Sequence, residues 1–230
     1  MTKVLLIEDD PAVRRAMTLA LRRRGHEIEA VGTGEEGLDS LVASGPDIVL
    51  LDLMLPGISG LEACRRIRET SQIPIVIVSA RGDDVDVVVG LEAGADDYIV
   101  KPASGEVVEA RIRAVLRRVA PSQPEVTARR DPVVHGDLEI NHASLSVTKR
   151  GRPLALAPSE LKLLLFLSAA PEQTFSRRKL LEQVWEHSYY GDVRLVDACV
   201  MRLRAKTEDD PRRPRYVQTV RGFGYRFGPL

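Results

Sequence analysis

Five short runs rich in branched apolar residues recur through the first hundred positions, at 4–7, 28–31, 48–51, 75–78 and 98–100. Each is followed by a longer amphipathic stretch, at 12–24, 35–43, 61–69, 84–93 and 105–118. An apolar run that does not alternate with polar residues describes a strand buried on both faces, and the 3.6-residue period between runs describes helices that cover those faces. Five such strand–helix units predict a doubly wound α/β domain of flavodoxin-like type, with five parallel strands, over residues 1–119.

Periodicity stops after that. Residues 120–131, which include Pro121-Ser122-Gln123-Pro124, read as a linker. From 132 to 230 the rhythm changes: strand-like segments at 138–140, 144–149 and 153–156, helices at 159–169, 177–187 and 194–207, then a hairpin from 216–220 and 224–227. Pro158 suits a first helical turn and Ser176 an N-cap. This order predicts a second, α+β domain.

The net charge of zero conceals an asymmetry. Residues 1–120 carry 15 Lys and Arg against 20 Asp and Glu, and the remainder carries 18 against 13. Opposed halves point to a cation at one and a polyanion at the other, although ordinary solvated surfaces produce the same balance. Cys64 and Cys199 stand far apart with no CxxC spacing, which argues against a disulfide framework or zinc site and for a reducing cytoplasm. No apolar run approaches the roughly 18 residues of a membrane span. Acidic residues at 8–10 come too early for a secretory signal. The chain is therefore expected in the cytoplasm, with no membrane partner.

The chemistry lies where strands end. Glu8 and Asp9 follow the first run, Asp52 the third, Ser79 the fourth and Lys101 the fifth. In a parallel sheet all the C-terminal strand ends open on one edge, so these residues are expected to converge. Crowded carboxylates repel unless a cation sits among them, and Mg²⁺ suits a site of few carboxylates and phosphate oxygens. A Ser hydroxyl and a Lys ammonium complete a set able to hold a phosphoryl group. Taken singly, an Asp after a strand is commonly no more than a helix cap.

In order and spacing, Ile7-Glu8-Asp9-Asp10, Asp52-Leu53-Met54-Leu55-Pro56-Gly57, Ser79-Ala80-Arg81, Gly94-Ala95-Asp96-Asp97-Tyr98 and Lys101-Pro102 resemble the receiver domain of bacterial response regulators. That resemblance implies that Asp52 accepts a phosphoryl group from a phosphohistidine on a sensor kinase. It further implies that Asp9 and Asp52 bind Mg²⁺ directly, Glu8 through water and Met54 through its backbone carbonyl. Ser79 and Lys101 would hold the phosphoryl oxygens, Tyr98 would report the state of the switch, and the Lys101–Pro102 bond would be cis.

The second half resembles the OmpR/PhoB-type effector domain, a winged helix-turn-helix, most specifically in Arg221-Gly222-Phe223-Gly224-Tyr225-Arg226-Phe227. At about 100° per residue, Val196, Val200 and Leu203 share one face of the helix at 194–207, and Arg194, Ala198, Met201 and Arg202 are expected on the opposite one. Such a face suits the major groove of double-stranded DNA, with Arg on guanine and apolar atoms on thymine methyls; the alternative is a merely solvated helix. Arg204, Lys206, Thr219 and Arg221 are expected at phosphates or the minor groove. Trp185 is expected near the backbone-contacting end of its helix. The resemblance implies tandem half-sites and a contact with RNA polymerase through residues 186–192, including Tyr189 and Tyr190.

It also implies a homodimer on phosphorylation, with Asp97–Arg111 and Asp96–Arg118 matching the charged pairs of that interface. Val87 and Val107 depart from the family, which often pairs Arg or Lys with Glu there, and Ala103 replaces an aromatic. The two valines are expected either to meet across the dimer or to pack within their own subunit. A magnesium-dependent phosphatase is disfavoured, since Leu53 and Met54 follow Asp52 where an Asp-x-Asp arrangement would be needed, and the chain is read as a regulator, not an enzyme. A regulator that binds DNA without phosphorylation remains the other alternative.

Overall fold

The computed structural model describes residues 1–119, 132–185 and 193–228, apart from the side chains at 84, 118 and 119. They fall into two compact units divided between Leu116 and Arg117. The linker at 120–131, the segment 186–192 with Tyr189 and Tyr190, and the Arg118 side chain lie outside the described residues.

In the first unit, β1 (Lys3–Ile7), β2 (Glu27–Val31), β3 (Ile48–Leu51), β4 (Ile75–Ser79) and β5 (Asp97–Val100) form one sheet in the order β2-β1-β3-β4-β5. All pairings are parallel. The helices α1 (Pro11–Arg22), α2 (Gly34–Ser44), α3 (Gly60–Thr70), α4 (Asp84–Glu92) and α5 (Gly105–Val119) alternate with the strands as the periodicity predicts.

The two-residue period of the strands divides the core. Val4, Leu6, Ile48, Leu50, Val76 and Val78 pack on one face with Leu21 of α1 and Val108, Ile112 and Val115 of α5. Leu5, Ile7, Val49, Leu51 and Ile75 pack on the other with Ala63, Cys64 and Ile67 of α3. Caps set the helix starts. Asp10 accepts from Ala12 N–H at 2.7 Å and Val13 N–H at 3.1 Å, with Pro11 opening α1. Thr33 and Ser59 do the same work for α2 and α3.

The second unit begins with a four-stranded antiparallel sheet of β6 (Val133–His135), β7 (Leu138–Asn141), β8 (Ser146–Lys149) and β9 (Arg152–Pro153). Next come α6 (Pro158–Ser168), α7 (Arg177–Leu180), a π-helical turn (Leu181–Trp185) and α8 (Arg194–Thr207). β10 (Val217–Val220) and β11 (Gly224–Phe227) close the unit as a hairpin. Leu163, Leu164, Leu167, Leu180, Val184, Val196, Cys199, Val200 and Leu203 form its buried interior together with Trp185.

Two expectations are corrected here and one strand is added. β6 was missed, because Val133 and Val134 alone follow a polar stretch. The strand expected at 153–156 shrinks to two residues, since Pro153 has no N–H to donate to a ladder. The helix expected at 177–187 keeps α-helical geometry only to Leu180 and widens into the π turn.

His135 and His142 lie in this unit, and burial pushes both imidazoles below their ordinary value of 6.5. A histidine whose folded pKa is depressed favours the neutral form, so its contribution to stability is present above pH 6.5 and is lost as pH falls. Trp185 is the sole tryptophan and is buried in this unit, so its fluorescence reports the unit's unfolding. The urea midpoint it reports is expected to fall between about pH 7 and pH 5.5; a flat midpoint would show that the histidines accept protons at no cost.

Candidate functional site

Sheet topology brings Glu8, Asp9, Asp52, Ser79 and Lys101 to the C-terminal edge of the first unit. The Lys101 ammonium donates to Asp52 Oδ2 at 2.5 Å and Glu8 Oε2 at 2.6 Å. Glu8 and Asp52 are buried, whereas Asp9 is exposed. Carboxylate oxygens of all three acids lie within 4.8 Å of one another. Three carboxylates against one ammonium leave an excess of negative charge, two of the acids buried and Asp9 open to solvent.

Burial raises the Glu8 pKa above the ordinary carboxylate range, against the pull of the Lys101 hydrogen bond and charge. Burial works the other way on Lys101, but its hydrogen bonds to Asp52 and Glu8 prevail and hold its pKa above the usual value.

Backbone contacts fix the same loops. Met54 N–H donates to Asp52 Oδ1 at 3.0 Å, and Lys101 N–H to the Ser79 carbonyl at 2.8 Å. The Lys101–Pro102 bond is cis. Sequence reasoning missed Arg14, whose Nη1 donates to the carbonyls of Glu8 at 2.6 Å and Asp9 at 2.9 Å and so shapes the loop after β1. Its position one turn beyond the Asp10 cap was the available signal. Arg81 was also missed: it reaches Met54 Sδ at 2.9 Å and Asp86 Oδ1 at 3.3 Å, and its carbonyl accepts from Tyr98 Oη at 2.5 Å. Burial pushes the Tyr98 hydroxyl pKa up.

On the α4–β5–α5 side the structure revises the expectations. Asp96 is buried, and its Oδ2 receives Arg68 Nη2 at 2.6 Å and Ile75 N–H at 3.1 Å, so it braces its own subunit. Asp97 is also buried, with Arg111 Nη1 of the same chain at 3.7 Å. Val87 is buried and Val107 is 45% exposed, so of these two valines Val107 is the one that offers an apolar surface, alongside the exposed Val85 of α4 and Val100 of β5. Ala103 packs against the core face beside α1 and α5.

The second unit arranges its charges around α8. Val196, Val200 and Leu203 are buried as expected, but so are Leu195, Cys199 and Ala198. This wider apolar face turns Ala198 inward and carries Arg202 to a flank, where its Nε lies 3.2 Å from Glu160 Oε1 of α6. Lys206 Nζ meets the other Glu160 oxygen at 2.6 Å. Ala198 therefore leaves the outward face and Arg202 turns to its edge, while Met201 is exposed and Arg194, Asp197 and Arg204 are half-buried.

Arg204 is itself engaged, donating to the Val217 carbonyl and to Thr219 Oγ1, both at 2.8 Å. Arg221 stays exposed on the turn after β10. Arg177 and Asp197 escaped the sequence reading. Arg177 Nε donates to Asp197 Oδ1 at 2.7 Å, and Tyr225 Oη donates to the same oxygen at 2.6 Å. Burial and that hydrogen bond push the Tyr225 hydroxyl up to about 12.

A receiver-type acidic pocket and a wing beside a basic helix define a class: a regulator with a phosphoacceptor half and a DNA-binding half. Comparison with known proteins agrees. Residues 4–113 match the family described as response regulator receiver domain, and residues 151–227 the family described as transcriptional regulatory protein, C terminal.

The transcriptional regulatory protein AfsQ1 of Streptomyces coelicolor is 56% identical over 229 residues, covering 100% of this chain and 99% of that protein. The DNA-binding response regulator MtrA of Mycobacterium tuberculosis is 44% identical over 227 residues, covering 99% and 97%. Among solved structures, DrrB of Thermotoga maritima, an OmpR/PhoB homolog, aligns over 100% of both chains at 34% identity with a TM-score of 0.51. The chain belongs to the OmpR/PhoB-type response regulators: it is a two-component transcriptional regulator with a receiver and a DNA-binding domain.

Glu160 holds two cations of α8 with a side chain only 2% exposed. Replacing it by Ala leaves Arg202 and Lys206 without that shared partner and is expected to lower the stability of the second unit by about 3 kcal/mol. Urea unfolding followed by Trp185 fluorescence measures it; a loss under about 1 kcal/mol would class the pair with surface ion pairs.

Proposed function

We propose that Asp52 is the phosphoacceptor of a Mg²⁺-dependent switch. The carrying observation is that the Glu8, Asp9 and Asp52 carboxylates lie within 4.8 Å of one another, with Lys101 bridging two of them. All-oxygen donors of excess negative charge fit a hard divalent cation. Asp9, Asp52 and the Met54 carbonyl would hold Mg²⁺, with Glu8 acting through water; when bound it supplies positive charge to the transferring group.

An Asp52 carboxylate oxygen attacks the phosphorus of a phosphohistidine on the partner sensor kinase. A P–O bond forms, the P–N bond breaks, and the imidazole leaves with its electron pair. Lys101 and the Ser79 hydroxyl then hold phosphoryl oxygens, so Lys101 gives up part of its contact with Glu8 and Asp52. Drawing Ser79 toward the new group frees space for the Tyr98 ring, whose hydroxyl then leaves the Arg81 carbonyl.

The switch favours a homodimer through the α4–β5–α5 surface, where Val107 and the Asp97–Arg111 pair lie. The dimer binds tandem half-sites on double-stranded DNA in the cytoplasm and presents the second unit to RNA polymerase. Arg194 and Met201 face the major groove and Arg221 the phosphates or minor groove.

Incubation with Mg²⁺ and a small-molecule phosphodonor is expected to add one phosphoryl mass to the wild type and none to Asp52→Asn. Equal modification of both proteins would refute the assignment. Val107→Glu is expected to raise the dissociation constant of the phosphorylated dimer by about tenfold through a buried, unpaired charge; unchanged sedimentation would exclude Val107 from the interface.

A further inference from the structure

The hairpin of β10 and β11 closes through Arg221, Gly222 and Phe223, and its geometry leaves little freedom. Phe223 N–H donates to the Val220 carbonyl at 3.0 Å, and Gly222 has φ +78°, which describes a tight turn with glycine in its third position. Gly224, at φ +143°, lets the backbone of Phe175 approach so closely that a Cβ at 224 would collide with the Phe175 carbonyl oxygen. The chain pairs there in both directions, Phe175 N–H to the Tyr225 carbonyl at 2.8 Å and Tyr225 N–H to the Phe175 carbonyl at 3.0 Å. Phe223 thus stands between two positions shaped for glycine, on a stiff arm.

Its side chain is 71% exposed, whereas Phe175 and Phe227 of the same unit are buried. The arm is also locked to α8. Arg204 ties α8 to Val217 and Thr219, and Tyr225 ties β11 to Asp197. Glu208, just past the end of α8, accepts the backbone N–H groups of Arg215, Tyr216 and Val217 at 2.8–2.9 Å. Any surface that receives α8 therefore receives Phe223 at a fixed offset. Its neighbours along the hairpin are polar and cationic: Arg221 in the same turn and Thr219 are exposed, and Arg226 donates to Gln218 two rungs further down. An apolar ring within a basic fringe matches a surface of apolar edges bordered by phosphates.

We propose that Phe223 is a minor-groove wedge, its ring pressed against sugar and base edges and partly unstacking one base step, while Arg221 engages the bordering phosphates. The proposal rests on the DNA-binding reading of this domain and adds to it a contact that reads deformability in place of hydrogen-bond pattern. Apolar side chains that enter the minor groove act in this way, and pyrimidine–purine steps open at the lowest cost. The wedge thus favours a TA or CA step at the wing position of each half-site, although no polar group of Phe223 reads it.

The test uses the full chain and duplexes that wild-type protein enriches from a random pool, with 2-aminopurine substituted in turn at each adenine under the bound chain. Wild type is expected to raise 2-aminopurine fluorescence at one step per bound chain. Phe223→Ala should abolish that rise and weaken binding by about tenfold. Phe223→Leu should retain part of both, and the thermal midpoint of each variant should match wild type, since the ring buries little in the free protein. An unchanged affinity and fluorescence profile in Phe223→Ala would overturn the proposal, as would weakened binding with no fluorescence rise in wild type. Wild-type binding in the same titration reports on the DNA-binding reading by itself, so the two failures are distinguishable.

Discussion

The ammonium of Lys101 lets two carboxylates remain buried at the open edge of a parallel sheet. Without it, Glu8 and Asp52 would repel at close range in surroundings that screen charge poorly, and Glu8 is already pushed toward its neutral form by burial. The sheet order places the strands carrying these groups so that one side chain from β5's end reaches both. The loop geometry, with Arg14 under the carbonyls of Glu8 and Asp9, keeps the arrangement in place. A bridging cation of this kind is also a movable one: whatever new anion arrives at Asp52 competes for the same three N–H donors.

The second unit uses acids differently. Glu160, Asp197 and Glu208 each bind groups that belong to, or border, α8, and none of them faces a site for chemistry. Together they fix the helix against α6, against α7 and against the hairpin. Helix and wing then form one reading head. Its stiffness lowers the entropy that binding must otherwise remove, the general advantage of a preorganised surface.

Much of this was legible in the sequence. Apolar runs located the central strands, because a strand buried on both faces needs an unbroken run; the edge strand β2, with Glu29 inside it, was found by its place in the alternation. Convergence of residues between 8 and 101 followed from the parallel sheet, whose strand ends share an edge. Less legible were the contacts that depend on side-chain reach. The helical wheel for α8 counted Val196, Val200 and Leu203 but not Leu195 and Cys199, and so misplaced Ala198 and Arg202. Asp96 read as a surface acid because its partner, Arg68, lies 28 residues away in α3. Short strands such as β6 gave no signal, since two valines cannot establish a period.

The pairing of basic residues inside the second unit has an electrostatic consequence. Residues 121–230 hold 18 Lys and Arg against 13 Asp and Glu, and three of those cations are already paired, Arg202 and Lys206 with Glu160 and Arg177 with Asp197. Each phosphate a protein neutralises releases counterions and steepens the dependence of affinity on salt. Cations that are already paired inside the unit add less to that dependence than exposed ones such as Arg221. In the proposed dimer, two linked heads would multiply affinity without adding any new contact to either.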